Sequence, residues 1–281
     1  MKKIRFTKMH GAGNDFVLID DRTETFPVND HLRLSALAEP RTGIGCEGVI
    51  LVQNSSVADF KMVFFNPDGT EADMCGNGAR CVAAFVREIG MVTSSSMTFE
   101  TRAGLVDAEI VSPVSVKVWM TEPTQRRYGL NLSVADAAVA ADFVKVAVPH
   151  LIVPCASVAR QDVERLGRDL RLLDVFAPEG TNVDFVQYLP PHKILIRTYE
   201  RGVEAESGAC GTGAVAAAVV GVETQGMSLP IHVRTIQGYD LTVDGDWRRA
   251  KGTGFTLTGP VKKVYEGEID LDSLDLGNEM E

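Results

Sequence analysis

Two cysteines stand in matching contexts: "MCGNG" at residues 74–78 and "ACGTG" at 209–213, 135 positions apart. Each opens an alanine- and valine-rich run of helical character, so Cys75 and Cys210 are both expected at a helix N-terminus. There, unpaired backbone N–H groups and the positive end of the helix dipole favour a thiolate. The adjacent glycines, Gly76, Gly78, Gly211 and Gly213, let bare amides approach an anion such as a carboxylate. A carboxylate held between two such thiols suits one reaction. A thiolate takes a proton from the neighbouring carbon on one face, a thiol returns one on the other, and the stereocentre inverts. That chemistry is general acid–base catalysis and calls for no cofactor.

A lone buried cysteine is ordinarily a packing residue. Packing gives no reason for a cysteine to precede Gly-x-Gly-Ala at the corresponding point of both halves, and this separates Cys75 and Cys210 from the rest. Cys81, one turn into the first helix, has Ala216 as its counterpart and reads as core; Cys46 and Cys155 read as structural.

The elements that must position the thiols repeat in the same order. "DFKMVFFN" reads as a strand leading to "PDGTEADMCGNGARCVAAFV", and "KILIRTYE" as a strand leading to "RGVEAESGACGTGAVAAAVV". Hairpin-like segments follow both helices and place Gly104 and Gly238 134 residues apart, close to the cysteine spacing. Further strands are expected at "KIRFTKMH", "NDFVLID", "GVILVQN", "VSVKVWMT", "FVKVAVPHLIVP", "NVDFVQYL" and "GFTLTG", and further helices at "NDHLRLSALAEPR" and "SVARQDVERLGRDLRLL". In the first thiol helix Val82, Phe85, Val86 and Ile89 are expected on one face. A duplication of this length points to two homologous domains. The boundary falls near "TEPTQRR", giving 1–121 joined by 264–281, and 122–263. The chain is expected to end in an edge strand, "KKVYEGEI", and a solvated acidic tail.

Composition excludes several classes. A net charge of −10 with scattered lysines and arginines leaves no footprint for nucleic acid. No apolar run approaches the roughly 18–20 residues of a membrane span, and the basic N-terminus lacks the apolar core of a signal peptide. The five cysteines are odd in number and sparse, which fits reduced thiols in a cytoplasm, and no histidine stands at ligand spacing to Cys75 and Cys81, so no metal site is expected.

The segments "KMHGAGNDFVLID", "FFNPDGTEADMCGNGARC" and "YERGVEAESGACGTGA" together resemble the diaminopimelate epimerase family, in order and spacing, over nearly the whole chain. The resemblance implies an α/β (α+β) fold: two pseudo-symmetric domains, each a twisted, mainly antiparallel sheet wrapped around a central helix, with the active site in the interdomain cleft. It implies a cytoplasmic isomerase, a homodimer, that interconverts LL- and meso-diaminopimelate for lysine and peptidoglycan-precursor synthesis. The partner is a small diamino diacid, and neither pyridoxal phosphate nor metal is used. Carried onto this chain, it makes Cys75 and Cys210 the acid/base pair. Asn14, Asn66 and Asn182 line the pocket, Glu200 and Arg201 serve the zwitterionic ends, and Gly76, Asn77, Gly211 and Thr212 donate to the reacting carboxylate. His150 supports the arrangement. Outside the family context, Glu200–Arg201 reads as a surface ion pair and His150 as a satisfied core histidine.

The chain departs from the family pattern in three places. Val148 precedes Pro149-His150 where many members have asparagine, and Gly48 stands near a common glutamine. The loop "RGVEAESGAC" is also one residue longer than the usual form, which loosens the carry-over at Glu206. Two rival readings share the thiols. A racemase of another amino acid, proline or hydroxyproline, would use the same acid/base logic; a redox-responsive binding protein would pair Cys75 with Cys210 as a disulfide. The "YERG" motif and the asparagines favour a diacid, which needs recognition at both ends.

Overall fold

A strand in which every residue is apolar needs cover on both faces. Two such runs, Phe16–Ile19 and Val49–Val52, are buried throughout. Their inner residues face a helix enclosed by the sheet, and their outer residues face a second helix packed outside it. The computed structural model describes residues 3–134, 137–245 and 254–276, which divide into two units, Met1–Val118 with Pro260–Glu281, and Trp119–Gly259.

The first unit contains, in order, β1 (Lys3–Gly11), β2 (Asn14–Asp20), α1 (His31–Ala38), β3 (Val49–Gln53), β4 (Phe60–Phe65), β5 (Glu71–Ala72), α2 (Gly76–Glu88), β6 (Ser96–Thr101), β7 (Gly104–Ser112) and β8 (Ser115–Trp119). The second contains β9 (Thr124–Val134), β10 (Ala137–Val146), β11 (Val148–Pro154), α3 (Val163–Arg171), β12 (Asn182–Leu189), β13 (Lys193–Glu200), β14 (Ala205–Ser207), α4 (Gly211–Thr224), β15 (Ile231–Arg234) and β16 (Asp240–Asp244). The last strand, β17 (Thr256–Asp270), begins in the second unit and ends in the first.

Pairing follows the same plan twice. In the first unit it runs β17–β1–β2–β3–β4–β6–β7–β8, and β8 returns to β17, closing a ring. In the second it runs β9–β10–β11–β12–β13–β15–β16–β17. The parallel neighbours are β2–β3 and β4–β6 in one unit and the corresponding β11–β12 and β13–β15 in the other. The fold is therefore a duplicated, mainly antiparallel barrel-like sheet wrapped on a helix.

Both central helices are buried nearly all round, as a helix inside a curled sheet must be. The one-face expectation for α2 is accordingly too narrow. Val82, Phe85 and Val86 are buried, but so are Asn77, Arg80, Cys81 and Ala83, while Ile89 is only half-buried. Outside, Leu34 and Leu37 of α1 pack with Val17, Ile19, Val49 and Leu51; Val163 and Leu170 of α3 pack with Leu151, Val153, Val183 and Phe185. Each such leucine contributes about 1.5–3 kcal/mol by leaving water.

Three sequence expectations need correction. Strand β9 falls in "TQRRYGLNLSV", where most residues are exposed and polar, so no apolar alternation marks it. The segment "KKVYEGEI" is not paired on both sides: Lys262–Ile269 meet β1, while β8 reaches β17 only between Phe255 and Val261, so the edge expectation stands for the described residues. The acidic tail is not wholly solvated: Leu271 and Leu274 are buried in the cluster with Phe6, Phe26 and Leu34, and residues 277–281 lie outside the described residues. The helix expected from Ser157 is also broken, into a turn of 3-10 helix at Val158–Arg160 and α3, whose first turn is capped by Asp162 accepting from the Arg165 N–H at 3.3 Å.

Candidate active site

Cys75 and Cys210 are the N-cap residues of α2 and α4, both in extended backbone conformation. The Cys75 carbonyl accepts the Ala79 N–H at 2.7 Å and the Cys210 carbonyl the Ala214 N–H at 3.0 Å. The N–H groups of the first turn have no partners within the helix. They belong to Gly76, Asn77 and Gly78 in one unit and to Gly211, Thr212 and Gly213 in the other. Both thiols are half-buried.

In the first unit a directed chain of amides leads to the thiol. The Cys75 S–H donates to Asn14 Oδ1 at 3.6 Å, and Asn77 Nδ2 donates to the same oxygen at 3.1 Å. Asn14 Nδ2 donates in turn to Glu47. Behind Asn77 stands Arg80, whose guanidinium is fully buried and donates to Asn77 Oδ1 and to the Gly76 carbonyl. Its Nε has no partner, and among the described residues no carboxylate forms an ion pair with it. Burial pulls the Arg80 guanidinium below its ordinary value, while the nearby Cys81 and Cys75 sulfurs act in the opposite sense. A cation so placed favours negative charge at Cys75.

The second unit builds a different set on the same scaffold. His150 Nδ1 lies 2.7 Å from Asp184 Oδ2, and His150 Nε2 lies 2.9 Å from Thr212 Oγ1. Thr212 Oγ1 lies 3.4 Å from Cys210 Sγ, and Thr198 donates to Asp184 Oδ1 at 2.6 Å. The Cys210 thiol is held well above its ordinary value, first by desolvation and then by the charges of Glu200 and Asp184, against weaker stabilising bonds from Thr212 and Gly213.

The remaining expected residues fall into place as follows. Asn66 closes a turn, its N–H and Nδ2 donating to the carbonyl and hydroxyl of Thr70. Asn182 is buried; its Nδ2 donates to the Pro149 carbonyl and its Oδ1 accepts the Arg201 N–H at 2.8 Å, which fixes the start of the "RG" turn after β13. The Arg201 guanidinium donates to the Glu179 carbonyl at 3.2 Å. Glu206 is engaged in a bidentate pair with Arg197, at 2.6 Å on both oxygens, and so belongs to the scaffold. Cys46 is buried, with its thiol pushed up to about 11, and burial likewise raises Cys81 and Cys155.

Arg80, Asp184 and Thr198 are absent from the residues chosen on sequence. A lone charge in each of two otherwise apolar runs, "GARCVAAFV" and "NVDFV", was the available signal. Gly48 explains its own departure. A Cβ there would stand 2.4 Å from Phe64 Cε2, a ring held edge-on against Phe16. Gly48→Gln is therefore expected to cost roughly 1–3 kcal/mol by overpacking. That cost would appear in thermal melting as a lower midpoint, whereas an unchanged midpoint would show that the ring moves freely.

Among the described residues no three His, Cys, Asp or Glu side chains are grouped to hold a metal ion, and no helix is long and apolar enough to cross a membrane. Two solved structures share the architecture. A Bacillus anthracis phenazine biosynthesis protein of the PhzF family superposes with a TM-score of 0.74 at 19% identity, covering 96% of this chain and 99% of its own. A probable proline racemase from Agrobacterium radiobacter K84 superposes with a TM-score of 0.73 at 19% identity, covering 97% and 94%. The fold is thus shared with these two proteins, and each unit of this chain carries a thiol capping its central helix. Sequence narrows this further. Residues 6–125 and 143–264 match the family description "Diaminopimelate epimerase". The diaminopimelate epimerase of Aquifex aeolicus (strain VF5) is 40% identical over 97% of this chain and 100% of its own, and that of Parabacteroides distasonis is 36% identical over 96% and 99%. The chain belongs to the diaminopimelate epimerase family.

Proposed function

We propose that this chain interconverts LL- and meso-diaminopimelate by a two-base proton transfer, with Cys75 and Cys210 as the acid/base pair and no cofactor. The observation that carries the reading is the duplicated thiol at the N-cap of a buried helix, in a chain of this family. One cysteine, as thiolate, removes the α-proton while the other, as thiol, delivers a proton to the opposite face. An α-carbon beside a carboxylate is a very weak acid. The charge that builds on that carboxylate needs preorganised donors, for which the N–H groups of Gly76, Asn77, Gly211 and Thr212 are suited. Asn14 aligns the Cys75 thiol. Asn66, Glu200 and Arg201 serve the far amino-acid end, an arginine suiting a carboxylate and a glutamate an ammonium, and Asn182 holds Arg201 through its backbone N–H. Val148 offers no side-chain donor, so that end is read without the amide many relatives have there. The working form is a cytoplasmic homodimer supplying lysine and peptidoglycan-precursor synthesis.

A substrate panel tests the reading. Reduced protein is incubated separately with LL-diaminopimelate, L-proline and trans-4-hydroxy-L-proline, and the stereoisomers are resolved by chromatography. Conversion of the diacid alone is expected; inversion of a proline with no turnover of the diacid would replace this reading by the proline-racemase one.

A further inference from the structure

The two units carry corresponding inner-layer positions that hold very different side chains. Asn14 and Val148 begin the corresponding strands β2 and β11, so Phe16 and His150 occupy matching places. A Cβ on Gly78 would meet Ile50 Cδ1 at 3.1 Å, and a Cβ on Gly213 would meet Asp184 Oδ1 at 2.4 Å, so Ile50 and Asp184 match as well. Where the first unit stacks a phenylalanine and an isoleucine against its helix, the second buries a histidine and an aspartate, both with no exposed surface. Burying such a pair is costly, and the first unit shows that the fold accepts an apolar pair in its place.

With a neutral imidazole the pair is fully hydrogen-bonded in one sense only. Asp184 is a carboxylate seated against the first turn of α4, where the helix dipole favours negative charge. It accepts from the Thr198 hydroxyl on one oxygen and from His150 Nδ1 on the other. In a neutral imidazole one nitrogen donates and the other accepts. We infer that Asp184 is a positioning residue for Cys210: it holds His150 as the Nδ1–H tautomer, so that Nε2 accepts the Thr212 hydroxyl proton and the Thr212 oxygen faces the Cys210 thiol as an acceptor. This deepens the epimerase reading and rests on it for its catalytic meaning.

The consequence is a poise. With Cys210 as a thiol, every group from Thr198 to the sulfur has its partner. When Cys210 gives its proton to the substrate carbon it becomes a thiolate, and the Thr212 proton can then serve either the sulfur or His150 Nε2, not both. The arrangement therefore favours the thiol, and in the resting enzyme Cys210 is the proton donor. Replacing Asp184 by asparagine, with the amide oxygen kept on the Thr198 hydroxyl, offers Nδ1 an N–H in place of a carboxylate oxygen. That selects the Nε2–H tautomer and reverses the chain, so that the Thr212 proton points at the sulfur and the thiol loses its acceptor.

The test uses the full-length, reduced, 15N-labelled protein and a long-range proton–nitrogen spectrum of its five histidines, with the His150 signals identified by their loss in His150→Gln. The wild type is expected to show His150 protonated at Nδ1 and bare at Nε2. Asp184→Asn is expected to show the opposite tautomer, with kcat for diaminopimelate lowered by roughly 10²–10⁴-fold and KM within about threefold. A wild-type ring protonated at Nε2, or at both nitrogens, overturns the inference, as does an Asp184→Asn protein with unchanged tautomer and kcat. If Asp184→Asn does not fold, the wild-type spectrum decides, together with Thr198→Val, which keeps the carboxylate and is expected to keep the tautomer. Absence of diaminopimelate turnover in the wild type would sink the epimerase reading while leaving the tautomer to be read directly.

Discussion

Alanine at Cys75 or at Cys210 is expected to lower kcat for LL-to-meso conversion by at least about 10²–10⁴-fold, the usual contribution of a positioned acid or base. The double variant should be little worse than either single one, because a proton transfer that lacks one partner has already failed. Both residues cap their helices through the backbone carbonyl, which alanine keeps, so their loss removes chemistry with little effect on folding. Cys155→Ala supplies the contrast. Its thiol is raised by burial, it lies beside Arg197 on the far side of β12, and kcat should stay within about twofold. A Cys75→Ala enzyme of near-normal rate, measured by stereoisomer analysis, would remove the first half of the pair.

The second large effect concerns Arg80. Arg80→Met removes a buried cation that lacks a carboxylate partner, which relieves a cost, and strips Asn77 Oδ1 of its donor, which adds roughly 1–3 kcal/mol of its own. Stability should thus change by only a few degrees in melting temperature. Reactivity should change more, because at an effective dielectric of about 20 a unit charge roughly 8–16 Å away is worth about 1–2 kcal/mol, or roughly tenfold in the thiolate population. Iodoacetamide labelling at fixed pH, followed peptide by peptide, should show Cys75 slowed about tenfold and Cys210 unchanged. Equal slowing of both, or of neither, would assign Arg80 to packing alone.

The duplication, the strand order and the helix start at each thiol were legible because they rest on strong local signals: an apolar run, a glycine pair, a repeated pentapeptide. Strand β9 was not, since an exposed strand carries no apolar alternation. Nor was the continuity of β17 from Thr256 to Asp270, because its pairing with β8 and then with β1 is decided by strands far away in sequence. The same division holds at the site. Cys75, Cys210, Asn14 and His150 carry the motifs from which they are proposed, but the bonding of Arg80 and Asp184 had no such mark. A single charge in an apolar run signals only that something must satisfy it. What satisfies Asp184 lies on three other elements, at His150, Thr198 and the first turn of α4. Asn182 shows the converse: its motif marks it for the pocket, while the structure spends its amide on the Pro149 carbonyl and the Arg201 N–H.

The most direct measurement is the fate of the α-hydrogen when reduced enzyme converts LL-diaminopimelate in deuterated water, stopped at low conversion. Two bases require that the proton removed by one thiol is not the one delivered by the other. Meso product is therefore expected to carry one deuterium at the inverted carbon, with the recovered LL substrate still protiated. Product that retains the original protium, or recovered substrate that has gained deuterium as fast as product forms, would indicate a single base and contradict the two-thiol mechanism.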